Sequence, residues 1–127
     1  MSNRPHVLVI DDEPFFRTSL SAALRSEFFV SLAQDGQDGY TKAVQNRPEL
    51  AIVDLIMPRF DGLTTIRMFR RDLRLADIPI VVLTSDASRA AVTACAKAGV
   101  KAYVLKSTLK YPELMKTIRN LLAQCAT

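Results

Sequence analysis

Four short polar runs each follow a stretch of apolar residues: Asp11-Asp12-Glu13, Asp54, Thr84-Ser85 and Lys106-Ser107. Brought together, Asp11, Asp12 and Asp54 would put three carboxylates beside the Thr84 hydroxyl and the Lys106 ammonium. Two like charges ~4 Å apart repel by ~1 kcal/mol in water and by ~4 kcal/mol at the effective dielectric of a partly covered site. Three carboxylates therefore stay together only if one is protonated or a cation joins them. Mg²⁺ fits: it is hard, takes a few carboxylate oxygens and keeps waters that a phosphate oxygen can displace. Such an ion also neutralises a transferring phosphoryl group and leaves a carboxylate free to act as nucleophile. Lys106 can hold a further phosphoryl oxygen as a point charge, and Thr84 can donate to one. The chemistry implied is phosphoryl transfer to a carboxylate.

Each run alone has a plainer meaning. An Asp-Asp pair after a strand can be a helix N-cap, Asp54 a turn residue, Thr84 a helix cap and Lys106 a solvated strand end. Their shared position, at the ends of strands assigned without reference to them, is what favours a site. Other chemistries lack their parts. The chain has no G-x-x-x-x-G-K-[ST] loop, G-x-G-x-x-G turn or G-x-S-x-G elbow. Its single histidine, His6, argues against a His-based zinc site, and Cys95 and Cys125 match no ligand spacing and read as buried or half-buried thiols.

The elements that must position these residues alternate between strand and helix, the pattern of an α/β domain with a parallel sheet. His6 to Ile10 is a continuous apolar run, expected of a strand covered on both faces. Pro14 suits the first turn of a helix, where its missing N–H costs nothing, and Phe16, Leu20, Ala23 and Leu24 share one face of it. Phe29 to Ala33 is the second strand. Asp35-Gly36 then breaks the chain before a helix presenting Tyr40, Ala43 and Val44, which Arg47-Pro48 ends. Leu50 to Asp54 is the third strand, followed by a loop through Met57-Pro58 and a helix from about Gly62 burying Leu63, Ile66, Phe69 and Leu73. Pro79 to Leu83 is the fourth strand, Ala87 to Ala98 a helix capped by Gly99, and Lys101 to Leu105 the fifth strand. Leu114, Ile118, Leu121 and Leu122 mark the last helix, with Pro112 near its first turn. Ligands in such sheets bind beyond the carboxyl ends of the strands, where the four polar runs lie.

At 127 residues the chain has the size of one domain, spanning 1–127, and one core is expected. No stretch approaches the ~18 consecutive apolar residues of a membrane span, and Met1 to His6 carries no apolar segment of a secretory signal, so a cytoplasmic location is expected. Seventeen basic and thirteen acidic residues give a net charge of +4. Arg67, Arg70, Arg71 and Arg74 cluster at the end of a helix, where cations complement the macrodipole and face solvent, so direct nucleic-acid binding is not expected.

As an ordered set, V-I-D-D-E at Val9 to Glu13, D-L-I-M-P at Asp54 to Pro58 with Gly62 beyond, V-L-T-S at Val82 to Ser85, A-K-A-G at Ala96 to Gly99 and A-Y-V-L-K at Ala102 to Lys106 resemble the receiver domain of two-component response regulators. The resemblance covers essentially the whole chain. It implies a doubly wound, flavodoxin-like five-stranded parallel sheet of order 2-1-3-4-5. It makes Asp54 the phosphoacceptor, Asp11, Asp12, Asp54 and the Ile56 backbone carbonyl the Mg²⁺ ligands, and Thr84 and Lys106 the contacts of the phosphoryl group. The donor would be a histidine kinase, a phosphotransfer protein or a small phosphodonor. Receivers are phosphoacceptor signalling domains, catalysing only their own phosphorylation and dephosphorylation.

Thr84 and Tyr103 are the implied switch, altering the surface of the fourth helix, fifth strand and fifth helix. That surface would meet a downstream protein target, an effector domain or, on phosphorylation, a second copy. Ile56 and Asp86 occupy positions that tune how water reaches the acyl phosphate; apolar Ile56 is expected to slow hydrolysis, with Asp86 able to oppose it by orienting a water. Ser107 stands where many members have proline, so a cis peptide after Lys106, which costs ~2.5–4 kcal/mol before a non-proline residue, is not assumed and the placement of the ammonium is left open. A receiver fold that signals by contact without phosphorylation is the alternative. A haloacid-dehalogenase-type phosphohydrolase is disfavoured, because adjacent aspartates replace its D-x-D and there is no room for a cap domain.

Overall fold

Alternation along the apolar strands sends successive side chains into two helical layers, and both layers are present. The computed structural model describes residues 4–58 and 60–125. Its elements are β1 (His6–Ile10), α1 (Pro14–Leu24), β2 (Phe29–Ala33), α2 (Gly36–Gln45), β3 (Leu50–Val53), α3 (Gly62–Arg71), β4 (Ile80–Thr84), α4 (Arg89–Lys97), β5 (Ala102–Leu105), a 3₁₀ turn (Lys106–Thr108) and α5 (Tyr111–Cys125). The strands form one parallel sheet of order β2-β1-β3-β4-β5, a doubly wound, flavodoxin-like arrangement.

Leu8, Ile10, Ala51, Val53, Ile80 and Val82 pack on one face with Ala43 of α2, Ile66 and Phe69 of α3 and Cys95 of α4. Val7, Val9, Leu50, Ile52, Val81 and Leu83 pack on the other with Leu20 and Leu24 of α1 and Leu114, Ile118 and Leu121 of α5. Chain direction across the sheet reverses between β1 and β3, and the register pairs Ile10 with Val53 there. The residues after this pair, Asp11 and Asp54, therefore emerge side by side at the switch point.

Three expectations are corrected. Leu73 continues the apolar spacing of Ile66 and Phe69, yet α3 ends at Arg71 and Leu73 is 95% exposed. Asp72 stops the helix: extended backbone turns the chain there, and its carboxylate accepts from the Tyr40 hydroxyl and the Arg74 guanidinium. Those bonds hold its carboxyl well below the usual carboxylate range. Arg70 does not face solvent with Arg67, Arg71 and Arg74; its half-buried guanidinium donates to four backbone carbonyls. Cys125 is exposed, whereas Cys95 is buried as expected. Among the described residues no helix is long and apolar enough to cross a membrane.

Candidate functional site

Asp11 leaves β1 with its N–H still on the Ala33 carbonyl at 3.1 Å, and Asp54 leaves β3 with its N–H on the Ile10 carbonyl at 3.0 Å. Sheet hydrogen bonds thus fix both backbones before either side chain is considered. Asp12 follows at the loop before α1 and is half-buried. Among the described residues, Asp11, Asp12 and Asp54 form an acidic group whose ligand oxygens all lie within 4.8 Å of one another.

Lys106 crosses from the end of β5 to hold this group. Its Nζ lies 2.9 Å from Asp11 Oδ2, 2.9 Å from Asp54 Oδ2 and 2.6 Å from Glu13 Oε1. The ammonium also sits 4.3 Å from the centroid of the Phe16 ring, close enough for a cation–π attraction. Peptide bonds of the described residues are all trans, so Lys106 reaches its partners from the 3₁₀ turn without an isomerised bond. Burial opposes its charge, but the Glu13, Asp11 and Asp54 carboxylates outweigh that and hold the ammonium above its ordinary value. For Asp11 the balance falls the other way: burial raises its carboxyl, only partly offset by the Glu13 N–H and by Lys106.

The remaining hydrogen bonds orient the acids. Asp11 Oδ1 accepts from the Glu13 N–H at 2.9 Å, and Asp54 Oδ1 accepts from the Ile56 N–H at 3.2 Å. Arg17 donates to the Asp11 carbonyl at 2.7 Å, tying the start of α1 to the loop. Gly62 closes the other side. Its N–H donates to the Leu55 carbonyl at 3.0 Å, and a Cβ there would lie 2.1 Å from the Asp54 carbonyl oxygen. Only glycine lets α3 begin this close to the loop that carries Asp54.

Thr84 is fully buried at the end of β4, and its Oγ1 accepts from the Asp86 N–H at 3.3 Å. Asp86 turns Oδ1 to the Ser88 N–H at 2.8 Å, and the Tyr103 hydroxyl donates to the Asp86 carbonyl at 2.5 Å. Burial raises the Tyr103 phenol, keeping it protonated as a donor. Thr84, Asp86 and Tyr103 therefore form a connected chain from the sheet to the loop before α4. The Ile56 side chain, in contrast, points outward and is 53% exposed.

Of the residues expected from sequence, Asp11, Asp12, Asp54 and Lys106 converge, Thr84 is buried at the adjoining strand end, and Tyr103 with Asp86 flanks it. Ser85 and Ser107 are exposed. Glu13 and Phe16 were not singled out for their contacts with Lys106. Glu13 had a visible signal, being the third acid of the run; Phe16 had none, because its spacing fits an ordinary core position.

A family model described as the response regulator receiver domain matches residues 7–119. The chain is 37% identical over 117 residues to the response regulator MprA of a Mycobacterium species, covering 91% of this chain and 50% of that protein. It spans about half or less of the length of the curated relatives it matches. A response regulator structure from Chloroflexus aurantiacus superposes with a TM-score of 0.88 at 27% identity, covering 95% of this chain and 99% of that one. The receiver domain of a sensor histidine kinase from Pseudomonas aeruginosa, with a magnesium ion coordinated in its active site cleft, gives 0.86 at 27% identity, covering 94% and 98%.

Proposed function

The chain belongs to the response regulator receiver family, and from that premise we propose that Asp54 accepts a phosphoryl group with Mg²⁺ held by Asp11, Asp12, Asp54 and the Ile56 backbone carbonyl. The observation that carries the reading is the pairing of a 3% exposed Asp54 carboxylate with Lys106 at 2.9 Å, inside a group of three carboxylates. An all-oxygen donor set of this charge fits a hard divalent cation. When bound, Mg²⁺ would neutralise charge on the transferring group.

The chain's own residues supply the rest. An Asp54 oxygen attacks phosphorus, forming an acyl phosphate as the bond to the donor's nitrogen or oxygen breaks. Lys106 meets the added negative charge without moving far, and Thr84 donates its hydroxyl to a phosphoryl oxygen. Charge brought by phosphorylation, roughly −1.5 to −2 on other phosphoresidues, draws Thr84 toward the site. The Asp86 loop and Tyr103 follow, because each is hydrogen-bonded to the next. The surface of α4, β5 and α5 then changes for a downstream protein target, an effector domain or a second copy.

A histidine kinase or phosphotransfer protein is the donor in this reading, and the setting is cytoplasmic. Ile56 slows hydrolysis of the acyl phosphate. Intact-mass measurement with acetyl phosphate and Mg²⁺ tests the proposal: the wild type gains one phosphoryl group and Asp54→Asn gains none. A folded, Mg²⁺-binding wild type that gains no mass from this or any protein donor would favour a module that signals without phosphorylation.

A further inference from the structure

Helix α4 is attached differently from its neighbours. It fully buries only Cys95, whereas α5 buries Leu114, Met115, Ile118 and Leu121. Its ends are instead held by hydrogen bonds. Before the helix, the Asp86 N–H and carbonyl are taken by Thr84 and Tyr103, both on the path from the phosphorylation site.

The far end is fixed by a residue outside that path. Gly99 adopts φ +78°, its N–H donates to the Ala96 carbonyl, and the Val100 N–H donates to the Cys95 carbonyl, which together form a Schellman cap. That cap leaves later carbonyls needing donors. Arg70 of α3 supplies them: Nε donates to Ala98 O at 2.9 Å and one terminal nitrogen to Gly99 O at 3.2 Å. The other terminal nitrogen donates to Ala76 O at 3.0 Å and Ile78 O at 2.8 Å, in the connection leading to β4. One planar cation thus ties the carboxyl end of α4 to α3 and the entry of β4, and it complements the negative end of the α4 dipole.

We infer that Arg70 is a positioning residue that makes the carboxyl end of α4 the fixed pivot of the switch, while the Asp86 end is the part that moves. The inference rests on the phosphorylation switch proposed above and names the residue that decides how α4 can respond. A lysine at this position has one nitrogen and cannot span carbonyls of two segments in the same plane.

Hydrogen exchange followed by mass spectrometry, with and without acetyl phosphate and Mg²⁺, tests it on the wild type, Arg70→Met, Arg70→Lys and Tyr103→Phe. In the wild type, phosphorylation changes exchange across 86–92 and leaves 95–100 within about twofold. In Arg70→Met, segment 95–100 exchanges roughly tenfold faster at rest and also becomes sensitive to phosphorylation. Arg70→Lys shows the same pattern more weakly and carries the test if the methionine variant does not fold. Tyr103→Phe loses the response at 86–92 and keeps protection at 95–100. A merely structural arginine would give faster exchange without the new sensitivity, and that result, or a wild-type response equal at both ends, overturns the pivot. Intact mass is read on each sample: a folded wild type that gains no phosphoryl group from acetyl phosphate or from any protein donor refutes the Asp54 reading and the switch with it, whereas gain with the wrong exchange pattern refutes the pivot alone.

Discussion

The two ends of the sheet are built from the same strands and handle polar groups in opposite ways. At the amino end, cations rest on backbone carbonyls: Arg70 donates to four of them and Arg47 to the Arg74 carbonyl at 2.9 Å, while His6 Nε2 lies 2.6 Å from Ser31 Oγ and the His6 N–H donates to Glu49 Oε1 at 3.2 Å. At the carboxyl end one ammonium is shared by three carboxylates, and two of these belong to buried aspartates. A cation among neutral carbonyls meets no like charge, whereas clustered carboxylates stay costly until a cation or a charged substrate joins them. That difference locates the chemistry more clearly than the size of any surface hollow.

The largest effect is expected from removing Lys106. Lys106→Met is expected to slow phosphoryl uptake on the order of 10²-fold, as loss of a charge-stabilising donor does elsewhere, measured by quenched intact mass over time. Unchanged uptake would show that the shared ammonium is only structural. Gly62→Ala comes next, since its Cβ would meet the Asp54 carbonyl at 2.1 Å. A loss of about 1–3 kcal/mol in urea unfolding is expected, with slower phosphorylation. A stable, fully active alanine variant would mean that the loop does not depend on this approach.

A smaller effect is expected at Ile56, whose exposed side chain borders the site. Ile56→Asn should shorten phosphoryl half-life several-fold, by the general scale of water-positioning effects. An equal or longer half-life removes its screening role.

The mildest test lies at the opposite end. Burial lowers the pKa of His6, so the unfolded chain binds its proton more readily than the folded one. Stability contributed by neutral His6 is present above the unfolded value of about 6.5 and declines as pH falls through that value toward the lowered folded one. His6→Gln should flatten the fall in melting temperature between about pH 7 and 5. Because His6 is the chain's single histidine, a slope that persists unchanged in the variant would place its origin among carboxylates.

Much of this was legible beforehand, for a definite reason. Continuous apolar runs at His6 to Ile10 and Leu50 to Val53 announce buried strands, and a polar residue just past such a run falls at the ligand-binding edge. Asp11, Asp54, Thr84 and Lys106 could be found that way. Helix ends were harder: Leu73 kept the period of α3, but a tertiary bond from Tyr40 to Asp72 ended the helix first. The Glu13 bond to Lys106 spans 93 residues of sequence and the Arg70 bond to Ala98 spans 28, so neither follows from local spacing. Arg70 read as a surface cation because its helix position alone does not show which carbonyls lie opposite.

On the proposed mechanism, one carboxylate of the cluster takes the phosphoryl group. Borohydride reduction of the phosphorylated protein, followed by peptide mapping, reads the modified residue directly, since an aspartyl phosphate is reduced to homoserine. Conversion is expected at Asp54 alone, with Asp11 and Asp12 unmodified. Conversion at either of those, or at any residue outside the cluster, would contradict it.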